Sequence, residues 1–378
     1  MTDTNAIHMR RQNRVLYIAF LLIFAVGLPL GNMLGLISDT TLNLWGRYLC
    51  FAIAALGIDL IWGYTGILSL CHALFFCIGG YGIGMHMLLG TGADGVYGSD
   101  LPDFMVWNQV EALPAFWAPF RSLPATMILI LVVPAVIAAI FGFLAFRSRI
   151  KGVYFAIITQ ALALGAWLIF LRNETMLGGT NGLTDFKTLA GFTLQDPSTK
   201  RGLYLLTVLA LVVIFAMARG LTSSKLGKLL VAVRDSENRV RFTGYDIASF
   251  KLFIFVVGAV IAAIGGMLYV PQTGIITPGR MDVEASILMV VWVAVGGRGS
   301  LTGAVIGALA VSLLYSVGTS HFPQYWHFVL GGLFIGVVRF FPDGLIGITP
   351  FIAERLRHHK AKKTQGFESP APTAEVTK

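Results

Sequence analysis

The sequence predicts an all-α, polytopic membrane protein with about ten transmembrane helices. Three observations carry that reading. Only 12% of the 378 residues are charged and 56% are hydrophobic, whereas soluble domains carry roughly 25% charged residues. The apolar residues fall in repeated runs that approach or exceed the ~20 residues needed to cross a bilayer as a helix. Glycine is abundant, at 43 residues, as in membrane helices that pack closely.

Residues 1–14 are polar and carry Arg10, Arg11 and Arg14 just before the first apolar run. By the positive-inside rule this places the N-terminus in the cytoplasm. The run that follows is too long for the core of a signal peptide and lacks a convincing cleavage site. It reads as a retained span over 15–37, bent at Pro29. The second span is expected over 44–62 and the third over 67–89, separated by a tight GlyTyrThrGly turn at 63–66. Residues 90–124 form a loop whose Asp94, Asp100, Asp103 and Glu111 oppose a lone Arg121, which fits the outside. The fourth span is expected over 125–146. Arg147, Arg149 and Lys151 then mark the inside, before a fifth span over 152–171.

A second external loop covers 172–202, and a sixth span covers 203–218. Residues 219–251 are the most charged internal stretch, with Arg219, Lys225, Lys228, Arg234, Arg239, Arg241 and Lys251 against Asp235, Glu237 and Asp246. LysLeuGly at 225–227 and ThrGlyTyr at 243–245 punctuate what reads as a short helix. The remaining spans are expected over 252–270, ending at Pro271, then 283–296, 301–319 and 325–341. The tail over 349–378 is basic and ends in a Ser/Pro/Thr-rich stretch expected to be disordered. Ten spans put both termini and both strongly basic loops inside, and the acidic loop outside.

Several function classes are disfavoured. The net charge of +9 sits between spans and at the termini, so it marks membrane orientation rather than nucleic-acid binding. Cys50, Cys71 and Cys77 lie in apolar runs without metal-ligand spacing and read as small buried side chains. There is no GxxxxGK[ST] loop for ATP phosphates, no HExxH, and no nucleophile–base or metal arrangement. The chain is therefore expected not to be an enzyme and to hold no metal.

Polar residues inside apolar runs are the candidate site. A charge at the bilayer centre costs about 2.5–3.5 kcal/mol on insertion scales, so Asp59 is expected to face the bundle interior or a cavity. It reads either as an acceptor for a polar solute or as a helix-end or interhelical contact. Tyr64, Ser69, His72, Gln160 and Trp167 each read singly as interhelical partners and collectively as a polar interior surface. Glu284 opens the eighth span, where its charge favours the helix dipole. Gly79, Gly80 and Gly84, and Gly299, Gly303 and Gly307, fit the small-xxx-small pattern of close helix packing.

The stretch DLIWGYTGILSLCHALFFCIGGYGIG at 59–84 resembles the signature run of the permeases of branched-chain amino acid ABC importers, with Cys71 where glycine is usual. KGVYFAIITQ at 151–160, GGTNGL at 178–183, LLVAVRDSENR at 229–239 with TGYD and FKL after it, VAVGGRGSLTGAVIGA at 293–308 and FPDGLIG at 341–347 are similar to further family segments, in the same order. The resemblance covers roughly residues 45–348. It implies a type II ABC importer permease fold over 15–348 in a bacterial inner membrane, surrounded by lipid. It implies a second related permease, two cytoplasmic ATPases that use the ATP, and a periplasmic solute-binding protein; no cofactor belongs to this chain. It also implies a coupling helix at about 226–240, with Arg234, Asp235, Glu237 and Arg239 as candidates for contact with the ATPases.

Within the family, residues 58–72, the acidic loop 90–124 and residues 292–301 look like the second permease subunit of the urea ABC transporter. The expected solute is urea, for which Asp59 near Trp62 and Tyr64 would supply an acceptor. The alternatives are a branched-chain amino acid importer permease and a passive channel for urea or ammonia.

Overall fold

A computed structural model describes residues 19–92, 95–148, 150, 152–340 and 344–347. The basic residues before the first span, Arg149, Lys151 and the tail over 349–378 lie outside the described residues. The protein is built from long helices. We label Ala19–Met33 α1, Asp39–Thr65 α2, His72–Thr91 α3, Asp103–Trp107 α4, Leu123–Arg147 α5 and Val153–Phe170 α6. Pro197–Ser223 is α7, Lys225–Phe242 α8, Ile247–Thr273 α9, Val283–Gly296 α10, Leu301–His321 α11 and Trp326–Phe340 α12. Each expected span coincides with one of these helices. Seven of them have the length and apolarity to cross a membrane, and α1 and α10 are shorter apolar helices.

Local chemistry sets the boundaries. Ser38, Ser224, Asp246, Asp282 and Ser300 each accept a backbone N–H of the helix that follows, satisfying donors that a helix start leaves unpaired. In α1 the backbone widens to a π-type stretch over Leu22–Gly27, directly before Pro29. Proline has no N–H to give, and the preceding turn re-pairs around that gap.

Several features differ from the sequence expectation: α2 is longer than expected and runs on through residues 63–65, so only Gly66 remains of the expected 63–66 turn. The third span begins at His72, so 66–71 is non-helical and Ser69 lies in a connection rather than a helix. Gly66, at φ 75°, turns the chain out of α2, and Leu70 N–H donates to Thr159 Oγ1 of α6 at 3.0 Å. The sixth span starts earlier, at Pro197, because proline suits the first helical turn. The seventh passes through Pro271 and ends at Gly274, since a proline in the last turn disturbs only the final hydrogen bonds. Gly299 lies in the turn before α11 rather than in a helix. Short strands that the all-α reading omitted pair in the connections after α6 and after α9. β1 (Leu183–Thr184) pairs with β4 (Ile275–Ile276), and β2 (Thr188–Leu189) pairs with β3 (Phe192–Thr193), all antiparallel.

Helices α2, α3 and α9 form the centre. About three quarters of the apolar windows of α2 and α3 are buried, at 78% and 72%, against 22% for α5 and α6. Helix α9 crosses α2, α3 and α5. The crossings need residues without side chains. A Cβ on Gly57 would stand 2.6 Å from Gly258 O, and one on Gly79 would collide with Ala263 O. Such contact brings backbones together where lipid offers no hydrophobic drive. The outer helices turn apolar residues outward at helical spacing, as with Ile128, Val132, Val136 and Ile140 of α5. That face suits lipid.

Candidate functional site

The charged helix α8 and the ends of α2 and α11 meet in one hydrogen-bonded cluster. Ser224 caps α8, and Ser236 has non-helical angles (φ −157°, ψ 77°), so the helix is kinked at its middle. Its apolar face buries Leu230, Val233 and Val240, while Lys228, Arg234, Asp235 and Arg239 are exposed. Arg234 Nη1 donates to Gly63 O at 2.8 Å, and Arg234 Nε pairs with Asp235 at 2.9 Å. Glu237 pairs with Arg241 at 3.0 Å and with Lys251 of α9 at 3.1 Å. Lys251 is largely buried, so this ion pair ties α8 to the base of α9.

Asp59 belongs to the same end of α2. It is fully buried, and its Oδ1 accepts Gly299 N–H at 2.6 Å. Its Oδ2 has no partner. A Cβ on Gly63 would strike both Asp59 Oδ1 and Gly299 N, so glycine there lets α2 and the 297–300 turn touch. Gly299 takes φ 78°, a left-handed conformation that glycine adopts without steric cost. Asp59 therefore makes an interhelical contact from α2 to the turn before α11 through Oδ1, and its unpartnered Oδ2 leaves the solute-acceptor alternative open. The arrangement joins α8 to α2 through Arg234, and α2 to the 297–300 turn through Asp59.

The other polar candidates are spread out. Ser69 lies 3.1 Å from His72 Nδ1 and 3.4 Å from Cys71 Sγ. His72 is buried between Phe75 and Phe255, with Nε2 unpartnered and turned toward Gly258. Gln160 in α6 has both amide atoms buried without partners. Tyr64 and Trp167 pack against the core. Glu284 is exposed in the first turn of α10, which Asp282 caps at 2.7 Å from Ala285 N. The structure thus brings Ser69 and His72 together, and Asp59 and Tyr64 with the α8 cluster, but does not gather all seven into one chamber. Gly303 and Gly307 sit against Gly296 O and Trp292 O, where a Cβ would collide. Gly80 and Gly84 face side chains, at 3.0 Å from Val270 and 3.3 Å from Leu183 for an added Cβ. Among the described residues, no group of three His, Cys, Asp or Glu is placed to hold a metal.

Sequence reasoning missed a cavity at the opposite end of α2. It encloses about 220 Å³ between α2, α3, α9, α10 and α11. Arg47 and Arg280 line it with Tyr48, Trp292 and Ser312. Arg47 sat just inside the expected second span, and a cation there was the available signal.

Comparison with known proteins places this architecture. The family model "Branched-chain amino acid transport system / permease component" matches residues 40–338. The chain is 24% identical over 358 residues to the high-affinity branched-chain amino acid transport system permease protein LivM of Escherichia coli strain K12, covering 88% of this chain and 75% of that one. It is 26% identical over 311 residues to the corresponding permease protein BraD of Pseudomonas aeruginosa, covering 79% and 91%. The autoinducer 2 import system permease protein LsrC of Yersinia pseudotuberculosis is 30% identical over 139 residues, 35% of this chain and 40% of that one. No solved structure matches the chain. With a match over most of its length and a bundle of membrane-length helices, the chain belongs to the permease family of branched-chain amino acid ABC transport systems.

Proposed function

We propose that this chain is one of two permease subunits of an ATP-driven importer that takes up branched-chain or similar apolar amino acids across an inner membrane. The observation that carries the reading is the family match over residues 40–338, joined by relatives named for branched-chain amino acid transport. The urea reading rests on three short stretches, 58–72, 90–124 and 292–301, and the named relatives favour the amino acid alternative. In this reading both termini and α8 face the cytoplasm. The ATPases dock on the exposed charges of α8, and a solute-binding protein docks over the loops that carry β1–β4. A second permease covers part of the apolar outer surface.

The α8 cluster supports a mechanical role. A push on Arg234 moves Gly63, the last turns of α2 and, through Asp59, the 297–300 turn. A push on Glu237 moves Lys251 and α9. Alternating access requires two global states whose balance both the ATPases and the loaded binding protein bias. A passive channel would need no such linkage. The test is uptake of labelled leucine and labelled urea by cells lacking this gene, before and after its restoration. Restored leucine uptake that excess urea leaves intact supports the reading. Restored urea uptake alone keeps the family and overturns the substrate.

A further inference from the structure

The cavity at the far end of α2 has the chemistry of a solute site, and neither the family match nor the α8 cluster accounts for it. Its walls are ordered by depth. Phe51, Phe76, Tyr269 and Trp292 form a floor of packed rings, with the Phe51 and Trp292 centroids 4.8 Å apart and Phe51 and Tyr269 5.3 Å apart. Arg47 lies one turn nearer the start of α2 than Phe51, about 6 Å along the axis. Arg280 comes from the segment before α10, its guanidinium 5.4 Å from the Tyr269 ring centre. Two arginines therefore stand beside an apolar floor, with Asp282 and Glu284 near Tyr315 on the Arg280 side and, among the described residues, no carboxylate on the Arg47 side.

The polar groups here lack partners. Arg47 Nε, Tyr48 OH, Trp292 Nε1 and Ser312 Oγ are all buried with no hydrogen bond. Tyr48, Trp292 and Ser312 are at most 4% exposed. Buried polar atoms are normally paired, and four orphans lining one cavity point to something absent. Among the described residues no carboxylate lies within ion-pair distance of Arg47. A guanidinium held in an apolar helix without an anion calls for one, and its planar fork matches a carboxylate. Urea carries no charge to answer it. The volume, below the ~300–1,000 Å³ of common ligand pockets, suits a solute of few atoms.

We propose that this cavity binds a small solute with an apolar chain and a carboxylate, the chain on the aromatic floor and the carboxylate at Arg47 and Arg280. As to its natural ligand, the proposal rests on the amino acid reading above. The site itself is tested without transport. Ser316 lines the cavity, whereas Cys50, Cys71 and Cys77 are buried, so Ser316→Cys in the full-length chain, purified with its partner subunits in lipid nanodiscs and read on this chain alone, offers one accessible thiol. The probes are 4-methylpentanoate and its neutral analogue 4-methylpentanamide.

Protection of the thiol by the acid at concentrations where the amide has little effect supports the site. Adding Arg47→Gln should weaken protection by the acid roughly 10- to 100-fold, the loss expected for a hydrogen bond to a charged group. Arg47→Lys, which keeps the charge, should lose less. If Arg47→Gln does not assemble, Arg280→Gln is read in the same assay. Equal protection by acid and amide, no protection by either, or protection unchanged without the arginine would overturn the proposal. Inorganic phosphate protecting as well as the acid would also overturn it, because the floor would then contribute nothing. Intact protection with no leucine uptake would sink the transport reading alone, and uptake without protection would sink the cavity alone.

Discussion

Asp59 gives the sharpest separation between a structural link and a solute contact. Asp59→Ala removes the acceptor of Gly299 N–H, now paired at 2.6 Å, and leaves that donor without a partner at a packed junction. An unsatisfied donor costs about 1–3 kcal/mol, and each 1.4 kcal/mol is about tenfold in an equilibrium constant. The variant should therefore unfold at lower temperature, with a folding equilibrium weakened about 5- to 150-fold. Asp59→Asn keeps a carbonyl oxygen at the same place and should remain close to wild type. The assay is thermal unfolding of the detergent-solubilised chain beside leucine uptake at matched membrane levels. Wild-type unfolding of Asp59→Ala with uptake abolished would refute the reasoning and return Asp59 to the solute pathway.

Three further outcomes follow from the same geometry. Arg239→Glu should reduce recovery of the ATPases in pull-downs without changing thermal stability, because Arg239 is exposed, whereas Arg234→Glu should lower both through loss of its bond to Gly63 O. Thr159→Val keeps the shape but strips Leu70 N–H of its acceptor, so unfolding should come earlier by about 1–3 kcal/mol. Gly79→Ala drives a methyl into Ala263 O at the α3–α9 crossing, and calorimetry should show destabilisation of about 1–3 kcal/mol from overpacking.

Much of the fold could be read from the chain because length and apolarity fix membrane helices more firmly than other elements. Val283–Gly296 has the bounds the sequence predicts, set by Asp282 at one end and a Gly pair at the other. What escaped depended on contacts between distant segments. The break at 66–71 is held by Thr159, some 90 positions away, and no local pattern announces that bond. Pro271 misled because a proline near a helix end resembles a terminator, yet only the last turn lies beyond it.

The candidate site was legible in part. Within the basic stretch at 219–251, residues 225–242 form the expected short helix, but its attachment to Gly63 and to Lys251 needed the fold. Asp59 stood out as a charge in an apolar run, although its partner is a backbone N–H 240 residues on. The cavity was hidden because its floor and mouth come from five helices and a connecting segment, and apart from Arg47 each contributing residue is ordinary in its own run.

The measurement closest to the central claim is accumulation of labelled leucine in proteoliposomes that hold this chain, its partner permease and the ATPases, with the solute-binding protein on the side away from the ATPases. The account predicts accumulation when ATP is supplied to the ATPase side and none with a non-hydrolysable analogue. Leucine equilibrating at the same rate without ATP would contradict it and mark the chain as a passive path.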